Sequence, residues 1–75
     1  MRILLVEDDA SVAEAVTEAL HRTGYIVDRV ADGETAWFQG DTESYSAAVL
    51  DLGLPKLDGL TVLKRWREAG SNLPV

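Results

Sequence analysis

Four carboxylates stand where two short apolar runs end: Glu7, Asp8 and Asp9 follow Ile3-Leu4-Leu5-Val6, and Asp51 follows Ala47-Ala48-Val49-Leu50. Carboxylates gathered in one place repel one another, and a hard dication with oxygen ligands relieves that repulsion best. Magnesium needs only one or two carboxylates and a backbone carbonyl beside its waters. Gly53, two residues beyond Asp51, is placed to offer the carbonyl. An ionised Asp is also a nucleophile toward phosphorus once a metal offsets the repulsion between two anions. Each acid has a plainer reading too. Glu7, Asp8 or Asp9 could simply cap a following helix, Asp9 most readily, and Asp51 could be a turn former before Gly53.

The elements that must position these groups follow from apolar spacing. Ile3–Val6 is a continuous apolar run of the kind found in a parallel strand covered on both faces. From about Ala10 to Arg22 the positions Val12, Ala15, Val16, Ala19 and Leu20 recur at helical spacing, and Gly24 can end the helix. Tyr25 to Val30 is rich in strand formers but is interrupted by Asp28 and Arg29, as an exposed edge strand would be. Asp32 caps a short second helix through Thr35, Ala36, Trp37 and Phe38, ending near Gly40, with a loop over Asp41 to Ser44. Ala47–Leu50 is the next buried strand, Leu52-Gly53-Leu54-Pro55 a loop, and Asp58-Gly59 the start of a third helix closed by Gly70. Leu60, Val62, Leu63, Trp66 and Ala69 are its apolar face, and Lys64, Arg65 and Arg67 suit its C-terminal dipole. Asn72 to Val75 looks like the approach to a fourth strand.

The order β-α-β-α-β-α with right-handed crossovers is a doubly wound parallel α/β arrangement. In strand order 2-1-3, Glu7 and Asp8 leave strand one about 5 Å, one strand spacing, from where Asp51 leaves strand three. Ligands in such sheets bind at that switch point, beyond the carboxyl ends of the strands. Two acid-terminated strands brought together there favour a site over two unrelated caps.

The runs Ile3-Leu4-Leu5-Val6-Glu7-Asp8-Asp9, Ala31-Asp32-Gly33-Glu34, Asp51-Leu52-Gly53-Leu54-Pro55 and Asp58-Gly59-Leu60 resemble the receiver domains of bacterial two-component response regulators, especially those joined to a winged-helix DNA-binding domain. The resemblance runs from Met1 to Val75 and implies a truncated flavodoxin-like, CheY-like fold. It implies Asp51 as phosphoacceptor, Asp8 and Asp51 as magnesium ligands, Glu7 binding the metal through water, and Gly53 giving its backbone carbonyl. It further implies a sensor histidine kinase or a small phosphodonor as the phosphoryl source, and control of transcription as the output. Such a protein is a switch that catalyses its own phosphorylation more than an enzyme. Family members continue through two more strand-helix units that bring a hydroxyl residue and a lysine to the phosphoryl group. Residues 1–75 are therefore read as the N-terminal part of a receiver, without its fourth and fifth strands or a DNA-binding domain. The expectation that follows is a bare third strand that pairs with its own copy in a homodimer.

Composition limits the alternatives. The 75 residues carry 13 acidic and 7 basic side chains, a net charge of −6, which repels nucleic acid and anionic membranes. No cysteine is present, so there is no disulfide or thiolate metal site. No apolar run could span a bilayer, and a cytoplasmic protein is expected. His21 is the only histidine and sits at a helix end that favours positive charge. Trp37, Phe38 and Trp66 read as core or interface rather than base-stacking residues. Two other functions compete. One is a binding module that dimerises without holding phosphate. The other is an aspartate-nucleophile phosphohydrolase, disfavoured because Gly53 stands where the general acid would be.

Overall fold

The computed structural model describes every residue from Met1 to Val75. Its elements are β1 (Arg2–Val6), α1 (Ala10–Arg22), β2 (Ile26–Val30), α2 (Gly33–Thr42), β3 (Ala47–Leu50) and α3 (Gly59–Glu68). The strands form one parallel sheet in the order β2-β1-β3. Each helix begins on an aspartate whose side chain accepts from backbone N–H groups of the first turn: Asp9 from Ser11 and Val12, Asp32 from Thr35, Asp58 from Thr61. These caps satisfy N–H groups that have no partner within their helix. Gly24 and Gly70 follow α1 and α3 with φ of 97° and 86°, the left-handed geometry that stops a helix.

β1 is the central strand and is buried from Ile3 to Val6. Its side chains alternate between faces. Leu4 and Val6 join Val30, Ala36, Ala48, Leu54, Val62, Trp66 and Leu73 in the main core, on the side of α2 and α3. Right-handed crossovers in this strand order put α1 on the other face, where Ala13 is its buried residue. Trp66 is fully buried, and its indole Nε1 donates to the Trp37 carbonyl at 3.2 Å, tying α3 to α2.

Several sequence expectations need correction. α2 does not end near Gly40 but continues through Asp41 and Thr42. Gly40 is there for packing: a Cβ would lie 2.4 Å from the Trp66 ring. In α1 the inward stripe is Ala13, Val16, Thr17 and Leu20, whereas Val12, Ala15 and Ala19 are exposed. In α3 the stripe is Gly59, Val62, Leu63 and Trp66, with Leu60 and Ala69 outside. Apolar identity alone marked both helices and placed Val16, Leu20, Val62, Leu63 and Trp66 inward, but it also assigned exposed neighbours to the inner faces. Phe38 is 65 % exposed, and Trp37 lies at the surface with the Arg65 guanidinium 4.8 Å from its ring centre. Nor is the free edge of β3 wholly bare. The Ala48 N–H donates to the Pro74 carbonyl at 2.8 Å, and Arg67 holds that segment through the carbonyls of Ser71 and Leu73.

Candidate metal centre at the strand ends

The register builds the site. Val6 lies opposite Val30 on one side and Leu50 on the other, so all three strands end level. The next N–H groups extend the ladder by one bond each: Glu7 to the Val30 carbonyl at 3.1 Å and Asp51 to the Val6 carbonyl at 3.0 Å. Glu7 and Asp51 thus leave adjacent strands at the same height, and Asp8 follows at the start of the turn into α1. One carboxylate oxygen from each of Glu7, Asp8 and Asp51 comes within 4.8 Å of the others. Glu7 and Asp51 are half-buried and Asp8 is exposed, so the cluster opens to solvent at one side.

Local contacts aim these groups. The Asp9 N–H donates to Glu7 Oε1 at 3.2 Å, while the Asp9 side chain is occupied with capping α1. Asp9 is a cap and lies outside the cluster. The Gly53 N–H donates to Asp51 Oδ1 at 3.1 Å, which turns the loop back over the end of β3. The Gly59 N–H donates to the Leu52 carbonyl at 3.1 Å, and a Cβ at Gly59 would stand 2.3 Å from the Asp51 carbonyl oxygen. The first turn of α3 is therefore pressed against the backbone that carries Asp51.

Arg29 is the contributor that the sequence reading passed over, having taken it only as a mark of an edge strand. Its Nε and Nη2 both donate to the Glu7 carbonyl, at 3.1 and 3.0 Å, and Nη2 reaches the Asp8 carbonyl at 3.4 Å. A basic residue next to the end of a strand paired with the acid-bearing one is the only sequence signal for this contact. His21 sits in the last turn of α1, apart from the cluster.

The donor set suits a hard cation. It is made of oxygen alone, carries three potential negative charges, and remains open for water or a phosphoryl oxygen, which fits magnesium better than a thiophilic metal. A doubly wound domain with an acidic crevice at its switch point belongs to the class that binds phosphates or metal ions beyond the strand ends.

Comparison with known proteins specifies the class. The response regulator receiver domain family matches residues 3–75, and the chain belongs to that family. The transcriptional regulatory protein QseB of Haemophilus influenzae is 45% identical over 75 residues, covering 100% of the chain and 34% of QseB. The chain spans about a third of the length of that relative. Among solved structures, the receiver domain of sensor histidine kinase PA1611 from Pseudomonas aeruginosa PAO1, with a magnesium ion coordinated in its active-site cleft, is 41% identical at a TM-score of 0.77. That alignment covers 89% of the chain and 55% of PA1611's. The complex of histidine kinase ThkA with response regulator TrrA, the latter from Thermotoga maritima, gives 33% identity and a TM-score of 0.83 over 89% of the chain and 58% of the matched one.

Proposed function

We propose that the chain accepts a phosphoryl group on Asp51 from a sensor histidine kinase, with magnesium held by Glu7, Asp8, Asp51 and the Gly53 carbonyl. The convergence of the three carboxylates within 4.8 Å carries this reading. Bound magnesium would neutralise charge between the incoming phosphoryl oxygens and the acidic cluster. With Oδ1 engaged by the Gly53 N–H, Asp51 Oδ2 attacks phosphorus. A P–O bond forms, the P–N bond to the kinase imidazole breaks, and the imidazole nitrogen leaves with the bonding pair. Asp8 is the most exposed of the three acids and would bind the ion directly, whereas Glu7, whose Oε1 accepts from the Asp9 N–H, would reach it through water, as the family resemblance implies. On this reading the protein is a switch that catalyses its own phosphorylation, acts in the cytoplasm, and serves the control of transcription, as regulators of this family do through a DNA-binding domain. The complex of ThkA with TrrA supports the kinase as partner, and the magnesium in the PA1611 receiver supports the metal, by similarity.

Intact mass after treatment with a small phosphodonor and magnesium tests the proposal. The wild-type chain should gain one phosphoryl group and Asp51→Asn none. A gain that persists in Asp51→Asn moves the acceptor elsewhere.

Self-association through β3 is a second reading. Val49 of that strand is 45 % exposed, but antiparallel pairing with a copy must first release the Ala48 N–H from Pro74. Sedimentation over a range of concentrations decides it: Val49→Lys should dissociate such a dimer, and a folded wild-type monomer at high concentration rules it out.

A further inference from the structure

Where β1 ends and α1 has not yet begun, two carbonyls fall between the ladders. The last β1–β2 pair is Val6 with Val30, and the first carbonyl used inside α1 is that of Asp9, which accepts from the Ala13 N–H. The carbonyls of Glu7 and Asp8 belong to neither. They are the carbonyls that Arg29 gathers, with two of its donors on Glu7 and the longer contact on Asp8.

We propose that Arg29 is a positioning residue for the acidic pair, setting the affinity of the site for a divalent cation through the backbone of Glu7 and Asp8. This deepens the metal-site reading above and rests on it. The guanidinium is a rigid planar fork, so donation from two of its nitrogens to one oxygen defines the direction of that carbonyl. Each peptide unit is planar, so holding the Glu7 carbonyl fixes the plane that ends at the Asp8 Cα, and the contact to the Asp8 carbonyl restrains the torsions about that atom, which set the direction in which the Asp8 side chain leaves. Groups behind metal ligands act in this way and commonly change metal affinity about 10- to 100-fold.

Two other effects of Arg29 have different signatures. As a cation near a cation site it repels the ion, and loss of that repulsion would tighten binding. As a surface hydrogen-bond donor it adds little to stability, because water can serve exposed carbonyls in its place. Positioning alone predicts weaker binding with the melting temperature of the metal-free protein nearly unchanged.

Titration calorimetry with magnesium alone, well below the melting temperature, is the test. Wild-type chain should bind; no binding overturns the metal-site reading itself. Given wild-type binding, Arg29→Ala should weaken it about tenfold. Arg29→Lys, which keeps the repelling charge but not the fork, should bind no more tightly than Arg29→Ala. Equal or tighter binding by Arg29→Ala overturns the inference, as does an Arg29→Lys variant that binds as tightly as the wild-type chain. If Arg29→Ala does not fold, Arg29→Gln, a neutral side chain with one amide donor, replaces it: weaker binding supports positioning and tighter binding overturns it.

Discussion

Replacing Gly59 by alanine tests whether α3 holds Asp51 in place. The new Cβ would lie 2.3 Å from the Asp51 carbonyl oxygen, 2.9 Å from the Leu52 Cα and 3.1 Å from the Asp51 carbonyl carbon. Carbon contacts are comfortable from about 3.5 Å, so main chain must retreat by about 1 Å. All three neighbours are backbone, and no side-chain rotation can absorb the clash. Such overpacking costs about 1–3 kcal/mol, offset by at most about 1 kcal/mol because alanine suits a helix better than glycine. A net loss of about 1–2 kcal/mol lowers the melting temperature of a domain this size by about 5–15 °C. The functional loss should be larger, since a shift of about 1 Å at a reacting group can cost about 10²-fold in rate. Gly40→Ala is the control. Its Cβ would meet the Trp66 ring at 2.4 Å, so it strains the α2–α3 contact without touching Asp51. Circular dichroism melts should show both variants destabilised. Mass-resolved phosphorylation from a small phosphodonor, at a temperature where both are folded, should show only Gly59→Ala impaired. If Gly59→Ala accepts phosphate as fast as Gly40→Ala, α3 does not position Asp51 and the reasoning fails.

Magnesium at about 100 times its dissociation constant should stabilise the fold by about 2.7 kcal/mol, read as an upward shift in melting. Asp8→Ala should remove that shift, and a shift of the same size in the variant would place the ion elsewhere. At the opposite end of the sheet, hydrogen bonds from Tyr45 and then Arg2 hold the Asp28 carboxyl below the usual carboxylate range. The folded state therefore binds this proton less readily than the unfolded chain. Its contribution to stability is complete above the unfolded value of about 3.9 and is lost as pH falls through the lower folded value. Asp28→Asn should make stability less steep with pH below about 4; Asp32 and Asp58, also held low by their capping bonds, keep part of the slope. An unchanged slope in Asp28→Asn, measured by denaturant melts from pH 5 downward, would show that the Tyr45 and Arg2 contacts do not act on folding.

The legible parts of the fold were those written in period and punctuation. Continuous apolar runs located β1 and β3, the aspartate caps and Gly24 bounded α1 at Ala10–Arg22 as the structure has it, and charges within Tyr25–Val30 identified an edge strand. The converging acids were legible because both strands end in carboxylates and the 2-1-3 order of the doubly wound family pattern sets those ends side by side. Burial was less readable. Leu60 and Val62 are both apolar, but only one direction around α3 meets the sheet. Gly40 looked like a helix end because a glycine inside a helix is unfavourable by itself; its reason is Trp66, 26 residues later in the chain.

The two charges that interrupt β2 show why the remainder needed coordinates. Read alone, Asp28 and Arg29 are polar residues that discourage an edge strand from pairing with another chain. Adjacent on a strand, they leave it in opposite directions, and each reaches back to β1 or its continuation. Asp28 meets the Arg2 side chain and the Tyr45 hydroxyl near the start of β1, and Arg29 meets the Glu7 and Asp8 carbonyls just past its end. β2 is thus fastened at both ends of its neighbour, once by an ion pair and once by backbone acceptors. The second fastening falls on the residues whose carboxylates form the site. An edge strand that looks expendable in sequence therefore bears on the metal centre through the main chain, and a contact of that kind depends on register, which no spacing of residue types within one segment can reveal.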